Sequence, residues 1–171
     1  KMAAVDKSQY EIFEVESNHN DPMKRRVVDI SQGVVAFTYF ENIMSPTLTA
    51  RAIIVNTGGG VSDDEGNMVG VYNGLPFRGG ERVIIKIKSN SNNNQDLDFS
   101  QDTTKYFFVS SVSDVMVEAQ KEIFTLNLIS REAITNETVR VGKKFPVSQK
   151  ISDSVEDLSL IHISEPTRQI V

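Results

Sequence analysis

The chain has 171 residues, with 18 basic and 23 acidic side chains, so its formal net charge near neutral pH is −5. An acidic balance argues against a nucleic-acid binder, which usually carries a basic excess. The absence of cysteine excludes disulfides and thiolate metal sites. No apolar run reaches the length of a membrane span, the polar and acidic start does not resemble a signal peptide, and the lack of tryptophan argues against an aromatic stacking platform.

Strand-forming segments follow one another through the first third of the chain. β-branched and aromatic residues dominate residues 10–16, 25–30, 34–40 and 48–55, and each of these segments predicts a β-strand. The apolar run at 34–40 predicts a strand that is largely buried. Gly33 marks a turn before that strand, and Pro46, which cannot donate to a ladder, marks a corner after it.

The middle of the chain carries the clearest periodicity. Residues 81–88 alternate between apolar and polar side chains and predict a strand with one buried face. That face holds Val83, Ile85 and Ile87. Residues 68–77 predict a helical turn over the core, and the polar, low-complexity residues 89–100 predict a mobile loop that cannot order itself.

A long hairpin is predicted in the second half of the chain. Residues 104–117 and 122–131 have strand composition and flank a turn at 118–121. One face of the second strand holds Phe124, Leu126, Leu128 and Ser130. Residues 138–141 predict a last short strand.

A helix is predicted from Ile151 to about Asp157, with Ser152 as its N-cap. After it, residues 158–168 read LSLIHISEPTR, which resembles the translation of a sequencing adapter. We therefore expect residues 158–171 to be an artefactual tail on a metagenomic fragment, one that packs poorly and gives its histidine no functional meaning. Pro166 should end any helix there.

The rest of the chain is long enough for one domain with a real core. It has about six to eight candidate strands, and no convincing helical period precedes Ile151. The sequence therefore predicts a mainly β fold, an antiparallel β-barrel or sandwich with one or two short helices.

Three polar motifs invite a chemical interpretation, and each has a simpler one. Gly58–Gly60 follows a strand but lacks the spacing of a phosphate-binding loop, so we interpret it as a flexible turn. Asp63–Asn67 lacks the ligand that an EF-hand needs at the position of Val61, which favours a solvated acidic turn. His19 lies in a polar segment without a nucleophile motif, which favours a surface histidine.

The remaining motifs are weaker still. Lys24–Arg26 is a basic run too short and isolated to indicate nucleic acid, and Asn136–Thr138 is a formal glycosylation sequon. Tyr106–Phe108, next to Lys105, is the nearest candidate for a stacking surface, although strand aromatics usually belong to the core. The sequence identifies no catalytic, cofactor-binding or metal-binding residue, so we expect neither a cofactor nor enzymatic activity.

Several segments together resemble the baseplate central hub protein of contractile-tailed, T-even-like phages and their marine relatives. Residues 34–55 (VVAFTYFENIMSPTLTARAIIV) resemble a strand–corner–strand unit near the N-terminus of tail hub proteins. Residues 72–81 resemble the segment that leads to the next strand, and residues 124–140 resemble the strand and exit loop that close the first barrel. Residues 150–155 (KISDSV) resemble the start of the helix that follows.

The resemblance implies a structural role in the virion. Such hubs are trimers in which each protomer adds two tube-like barrels to a pseudo-sixfold ring, and the ring joins the tail tube to the central spike. It implies an N-terminal extension with the first strand at 1–24, a tube-like barrel at 25–149, the start of a helix at 150–157 and the adapter-like tail at 158–171. The implied location is the tail baseplate, assembled in the host cytoplasm, with no membrane partner and with DNA only in transit through a lumen.

Two other functions stay open at this stage. A barrel that binds a ligand or single-stranded nucleic acid should show a basic, aromatic groove. The N-terminal part of a tail-associated hydrolase would carry its catalytic domain beyond residue 157.

Overall fold

The computed structural model describes residues 8–57, 60–62, 66–91, 94–118, 121–138, 142 and 144–164, with side chains up to residue 157. The chain forms two compact units, Lys1–Ala133 and Ile134–Val171. The first unit contains the described strands, and they confirm a mainly β, antiparallel fold.

The strands are β1 (Gln9–Glu16), β2 (Val27–Asp29), β3 (Val34–Phe40), β4 (Thr49–Thr57), β5 (Val61–Ser62), β6 (Met68–Val69), β7 (Arg82–Lys88), β8 (Leu97–Asp98), β9 (Phe107–Glu118) and β10 (Lys121–Ser130). The helices are α1 (Val71–Gly74), α2 (Arg131–Thr138) and α3 (Ile151–Ser164). Three 3₁₀ turns lie at Pro22–Lys24, Ser31–Gly33 and Thr103–Lys105. None of the helices in the described part of the chain has the length and apolarity that a bilayer crossing requires.

The main sheet is rolled into a barrel. Its strands lie in the order β2-β1-β7-β9-β10-β4-β3, with β8 paired to β7, and all pairs are antiparallel. In a flat sheet the two outer strands would lie about 29 Å apart, at about 4.8 Å per strand. Only residues 30–33 join β2 to β3, and this connection reaches about 18 Å at most. The sheet must therefore curl until its edges approach, and the ring contact between Phe13 of β1 and Phe37 of β3, at 6.1 Å, spans the interior.

The interior is filled by the inward face of each central strand. The buried apolar side chains on strands are Phe13, Val15, Ala50, Ala52, Ile54, Val61, Val83, Ile85, Ile87, Phe107, Val109, Phe124, Leu126 and Leu128. The alternations predicted for β7 and β10 are confirmed, because Val83, Ile85 and Ile87 are all buried, and so are the even-numbered residues of β10. Apolar burial of this kind stabilises the fold by about 25 cal/mol per Å² removed from water.

The predicted helical turn over the core is α1. Its Tyr72 ring lies 5.8 Å from the ring of Phe124 on β10, and Phe77 stacks on Tyr72 at 6.1 Å. Glu122, only 4% exposed, accepts hydrogen bonds from the Tyr72 backbone N–H at 3.2 Å and from Asn56 Nδ2 at 3.1 Å. This carboxylate therefore ties the segment between β4 and β7 to the hairpin.

Two predictions about the first unit are wrong. The strand at 34–40 is not largely buried: none of its residues is buried, because β3 is an outer strand that pairs with β4 alone. Residues 89–100 are not a mobile loop throughout. Leu97–Asp98 forms β8 against β7, and the Phe99 ring packs edge-on against Phe107 at 5.1 Å.

Helix bounds near the C-terminal side also differ from the predictions. Thr138 ends α2 and does not begin a strand, while residues 139–141 lie outside the described residues. α3 starts at Ile151, so Ser152 lies inside its first turn, where its hydroxyl donates to Asp153 Oδ1 at 3.0 Å. The helix continues to Ser164 because its sequence has no breaker before Pro166.

Candidate functional site

His19 lies in the loop that follows β1 and is half-buried. Its Nδ1 accepts the backbone N–H of Asp21 at 3.0 Å, and its carbonyl accepts Arg25 Nε at 3.1 Å. The imidazole therefore helps to hold its own loop, and it lines a cavity described below.

The glycine and acidic motifs lie between β4 and β6. Gly60 donates its N–H to the Val69 carbonyl at 2.9 Å, which continues the pairing of β5 with β6. Gly66 has a positive φ of 85°, a conformation that glycine adopts at little cost. Gly58, Gly59 and residues 63–65 lie outside the described residues.

The aromatic triplet does not form one surface. Phe107 is buried in the barrel, whereas the neighbouring Tyr106 and Phe108 are only partly buried. Tyr106 instead lies under the guanidinium of Arg82, whose Cζ is 5.5 Å from the ring centroid. Alternation along the chain thus turns Phe107 away from Tyr106 and Phe108, so the three rings do not form one stacking platform.

Lys24–Arg26 is isolated from other basic residues along the sequence, but in the fold it lies in a larger basic cluster. The antiparallel pairing of β1 with β7 places the residues after Glu16 next to those before Arg82. Arg78 thereby comes close to the 17–26 loop, and the two segments line one cavity. No local sequence pattern predicts this cluster, because a strand and a long connection separate its two segments along the chain.

Two cavities open at this end of the barrel. The first, of about 250 Å³, is lined by Ser17, Asn18, His19, Lys24, Arg26, Asn73, Gly74, Pro76 and Arg78, and we call it the basic cavity. The second is lined by Glu16, Ser17, Asn18, Arg25, Gly80, Arg82, Thr103, Phe108 and Arg131. In the second cavity Glu16 forms ion pairs with Arg82 and, at 3.5 Å, with Arg25, so this cavity has a carboxylate among its guanidinium groups.

The second half of β9 runs past the start of β7, at the same end of the barrel as the two cavities. We call residues 114–118 the ribbon. Every residue from 114 to 118 is exposed, including Val115 (42%), Met116 (56%) and Val117 (47%). Because successive side chains point to opposite faces, both faces of the ribbon present apolar groups to water.

The base of the ribbon is a β-bulge. The register between β9 and β10 shifts between Ile123 and Thr125, and Asp114 there has a positive φ of 53°. Arg51 Nη2 donates to Asp114 Oδ2 at 2.7 Å. Hydrogen bonds from Thr125 and Arg51 lower the pKa of Asp114 below its usual value. The bulge is thus held by side-chain contacts on β4 and β10.

The sequon in the second unit lies on α2. Asn136 is exposed, and the Thr138 hydroxyl donates to the Ile134 carbonyl at 2.9 Å. A sequon residue whose hydroxyl is engaged within a helix differs from the loop geometry that acceptor sites usually have.

Within the described ranges, no group of three His, Asp or Glu side chains is arranged to hold a metal ion. In comparisons with known proteins, no family model, no curated protein and no solved structure matches the chain.

Proposed function

We propose that this chain is a structural component of a phage tail, a baseplate hub or tail-tube-like module that joins the tail tube to the central spike and carries no catalysis. The observation that supports the proposal is the rolled antiparallel barrel with an exposed apolar ribbon at the end of β9. The place at the tube–spike junction and the trimeric state come from the resemblance of residues 34–55, 72–81 and 124–140 to tail hub proteins.

The ribbon has the properties of a contact surface between subunits. Val115, Met116 and Val117 are each exposed by two-fifths or more. Soluble monomers rarely gather exposed apolar groups in one projecting element, and such patches usually mark interaction sites. A neighbouring subunit that covered them would remove this apolar surface from water.

The open edges of the sheet support the same proposal. Among the described residues, β2 pairs with β1 alone and β3 pairs with β4 alone, so backbone pairing does not close the seam between these two strands. Unpaired edges promote association with further strands, and a closed ring of identical subunits satisfies them without open-ended growth.

The mass of the purified chain in solution, measured by light scattering, tests the proposal. A homotrimer has three times the 19.1 kDa mass of the chain. Met116→Ser and Val117→Ser should shift the mass towards the monomer, because each replaces an apolar contact in the ribbon. Met68→Ser is the matched control, since Met68 is also an exposed strand methionine but lies outside the ribbon and outside the main sheet.

Imaging of purified tails with an antibody against the chain supplies the second measurement. Labelling at the junction of tube and spike is expected. A chain that stays monomeric at all concentrations and is missing from tails contradicts the proposal.

The alternative of a barrel that binds a ligand or single-stranded nucleic acid is favoured by the basic cluster around Arg26 and Arg78. The separation of Tyr106 from Phe107 weighs against base stacking. Retention on immobilised single-stranded DNA that falls steeply with salt would support this alternative over the structural role.

A further inference from the structure

The basic cavity differs from its surroundings in charge. Its ionisable lining residues are His19, Lys24, Arg26 and Arg78, and no aspartate or glutamate among the described residues lines it. The chain as a whole has a net charge of −5, so this concentration of cations is opposite to the overall balance. A cleft lined by charges of one sign attracts ions of the other sign.

The acidic groups nearest to the cavity along the chain are engaged elsewhere. Glu16 pairs with Arg82 and Arg25 in the neighbouring cavity. Asp21 Oδ1 accepts the Met23 N–H at 3.0 Å and caps a 3₁₀ turn. These carboxylates therefore do not serve as the counter-ions of the cavity.

Glu81 is a third nearby acid, and it is only 1% exposed. Its carboxylate accepts the backbone N–H of Arg78 at 2.6 Å and that of Gly79 at 3.1 Å. It thus fixes the turn from inside and leaves the Arg78 side chain on the exposed side.

The two segments that supply the cations are held in place before any ligand arrives. The Ser17 N–H donates to the Arg26 carbonyl and the Arg26 N–H donates to Ser17 Oγ, both at 2.8 Å. Arg26 Nη1 donates to the Gly74 carbonyl at 3.2 Å, and Asn18 Nδ2 donates to the Gly79 carbonyl at 3.0 Å. The loop after β1 and the segment before β7 are therefore bonded to each other.

The turn that carries Arg78 depends on two glycines. Gly79 and Gly80 have positive φ values of 88° and 83°, which side-chain-bearing residues rarely adopt. A Cβ atom at Gly80 would also lie 3.0 Å from Asn18 Nδ2. The tight turn thus holds Arg78 against the 17–26 loop.

The hydrogen bond that His19 accepts determines which ring nitrogen can donate. Since Nδ1 accepts the N–H of Asp21, it carries a lone pair, and the proton of the neutral ring is on Nε2. The imidazole therefore offers an N–H donor. Together with Lys24, Arg26 and Arg78 it makes the ionisable lining a set of donors.

We propose that the basic cavity binds a phosphate group. Arginine guanidinium donates two parallel N–H bonds to phosphate oxygens, and lysine adds a point charge, so this donor set suits a tetrahedral dianion. A volume of about 250 Å³ corresponds to about eight water molecules at about 30 Å³ each, which leaves room for part of the group that carries the phosphate.

Titration of the isotope-labelled chain with inorganic phosphate, followed by NMR at constant ionic strength, tests the proposal. Saturable shifts of the Asn18, His19 and Arg78 amides are expected, with a dissociation constant on the order of 1 mM. Lys24→Gln and Arg78→Gln should each weaken binding about tenfold, which corresponds to about 1.4 kcal/mol. Both residues are exposed, so the variants should keep the fold.

Lys88→Gln is the matched control. Lys88 is an exposed lysine at the far end of β7, about 20 Å along the strand from Arg82. The substitution removes the same charge from the same molecule, so it should leave phosphate binding unchanged.

Two results would overturn the proposal. One is the absence of saturable shifts at about ten times the expected dissociation constant. The other is an equal loss of binding in Lys24→Gln and Lys88→Gln, which would show attraction to net charge alone.

The source of the phosphate group is distinguished by competition. An oligodeoxynucleotide without terminal phosphates that displaces inorganic phosphate identifies a phosphodiester ligand, whereas displacement by a mononucleotide alone identifies a phosphomonoester. This test is independent of the proposed tail function, because the assembly experiment measures the mass of the ribbon variants, whereas this one measures phosphate binding to variants of the basic cavity.

Discussion

Replacement of Glu122 by glutamine tests whether a buried carboxylate stabilises the connection between β4 and β7. Both donors to Glu122, the Tyr72 N–H and Asn56 Nδ2, bond the same oxygen, Oε2. An amide oxygen in that place keeps both bonds but loses their charge, and charge-assisted bonds are about twice as strong as neutral ones. At about 1 kcal/mol lost per bond, Glu122→Gln should cost about 2 kcal/mol of unfolding free energy.

Urea denaturation followed by circular dichroism measures this loss, and the melting temperature should fall by about 6–8 °C for a unit of this size. Glu118→Gln is the control, because it makes the same change at an exposed position in the same hairpin and should stay within about 0.5 kcal/mol of the wild type. Equal stability of Glu122→Gln and the wild type would refute the assigned role, and so would an equal loss in the control.

Three further predictions address the packing and the pH dependence of the barrel. Gly70→Ala should cost about 1–3 kcal/mol, since φ of −63° suits alanine but the new Cβ would overlap the Glu122 carboxylate; a double-mutant cycle with Glu122→Ala should recover most of the loss. Gly33→Ala should cost a similar amount in urea denaturation, because its Cβ would lie 2.8 Å from a carbonyl oxygen of β4. Hydrogen bonds from the Ser100 side chain and backbone lower the pKa of Asp98, so its carboxylate contributes stability above about pH 4 that is lost as pH falls through the lowered pKa. Asp98→Asn should therefore be less stable than the wild type at neutral pH, and in acid titrations of the unfolding free energy the difference should disappear as the pH falls through the lowered pKa.

Local sequence patterns predicted the central strands because a period of two encodes which face is buried. Ile85 and Leu126 could be assigned to the core from alternation alone, and both are fully buried. The burial of residues 34–40 could not be predicted in the same way, because it depends on the place of the strand in the sheet. A run of apolar residues is compatible with a central strand and also with an outer strand whose second face lies in water.

Helix α2 shows a second limit of local patterns. Its eight residues cover little more than two turns, too few for a helical period to stand out from the strand that precedes it. Thr135, Asn136 and Thr138 also have weak helix propensity, which favoured an exit loop in the sequence.

The basic cavity could not be predicted from the sequence because it depends on topology. Arg26 and Arg78 come together only because β1 pairs with β7, a long-range contact that no local pattern encodes. Lys24–Arg26 was a correct signal of positive charge, but the partners that make the run into a cavity lie far along the chain.

The ribbon and the basic cavity can change independently of each other because neither depends on the packing of the barrel interior. The bulge at Asp114 separates the ribbon from the core, and its positive φ costs about 1 kcal/mol that the hydrogen bond to Arg51 helps to offset. Beyond the bulge, residues 114–118 are all exposed, so substitutions there should alter association before they alter folding. In the basic cavity, the exposed Lys24 and Arg78 can lose their charge while the buried Glu81 still fixes the turn. A barrel of this kind therefore separates the residues that specify the fold from those available for assembly and ligand binding.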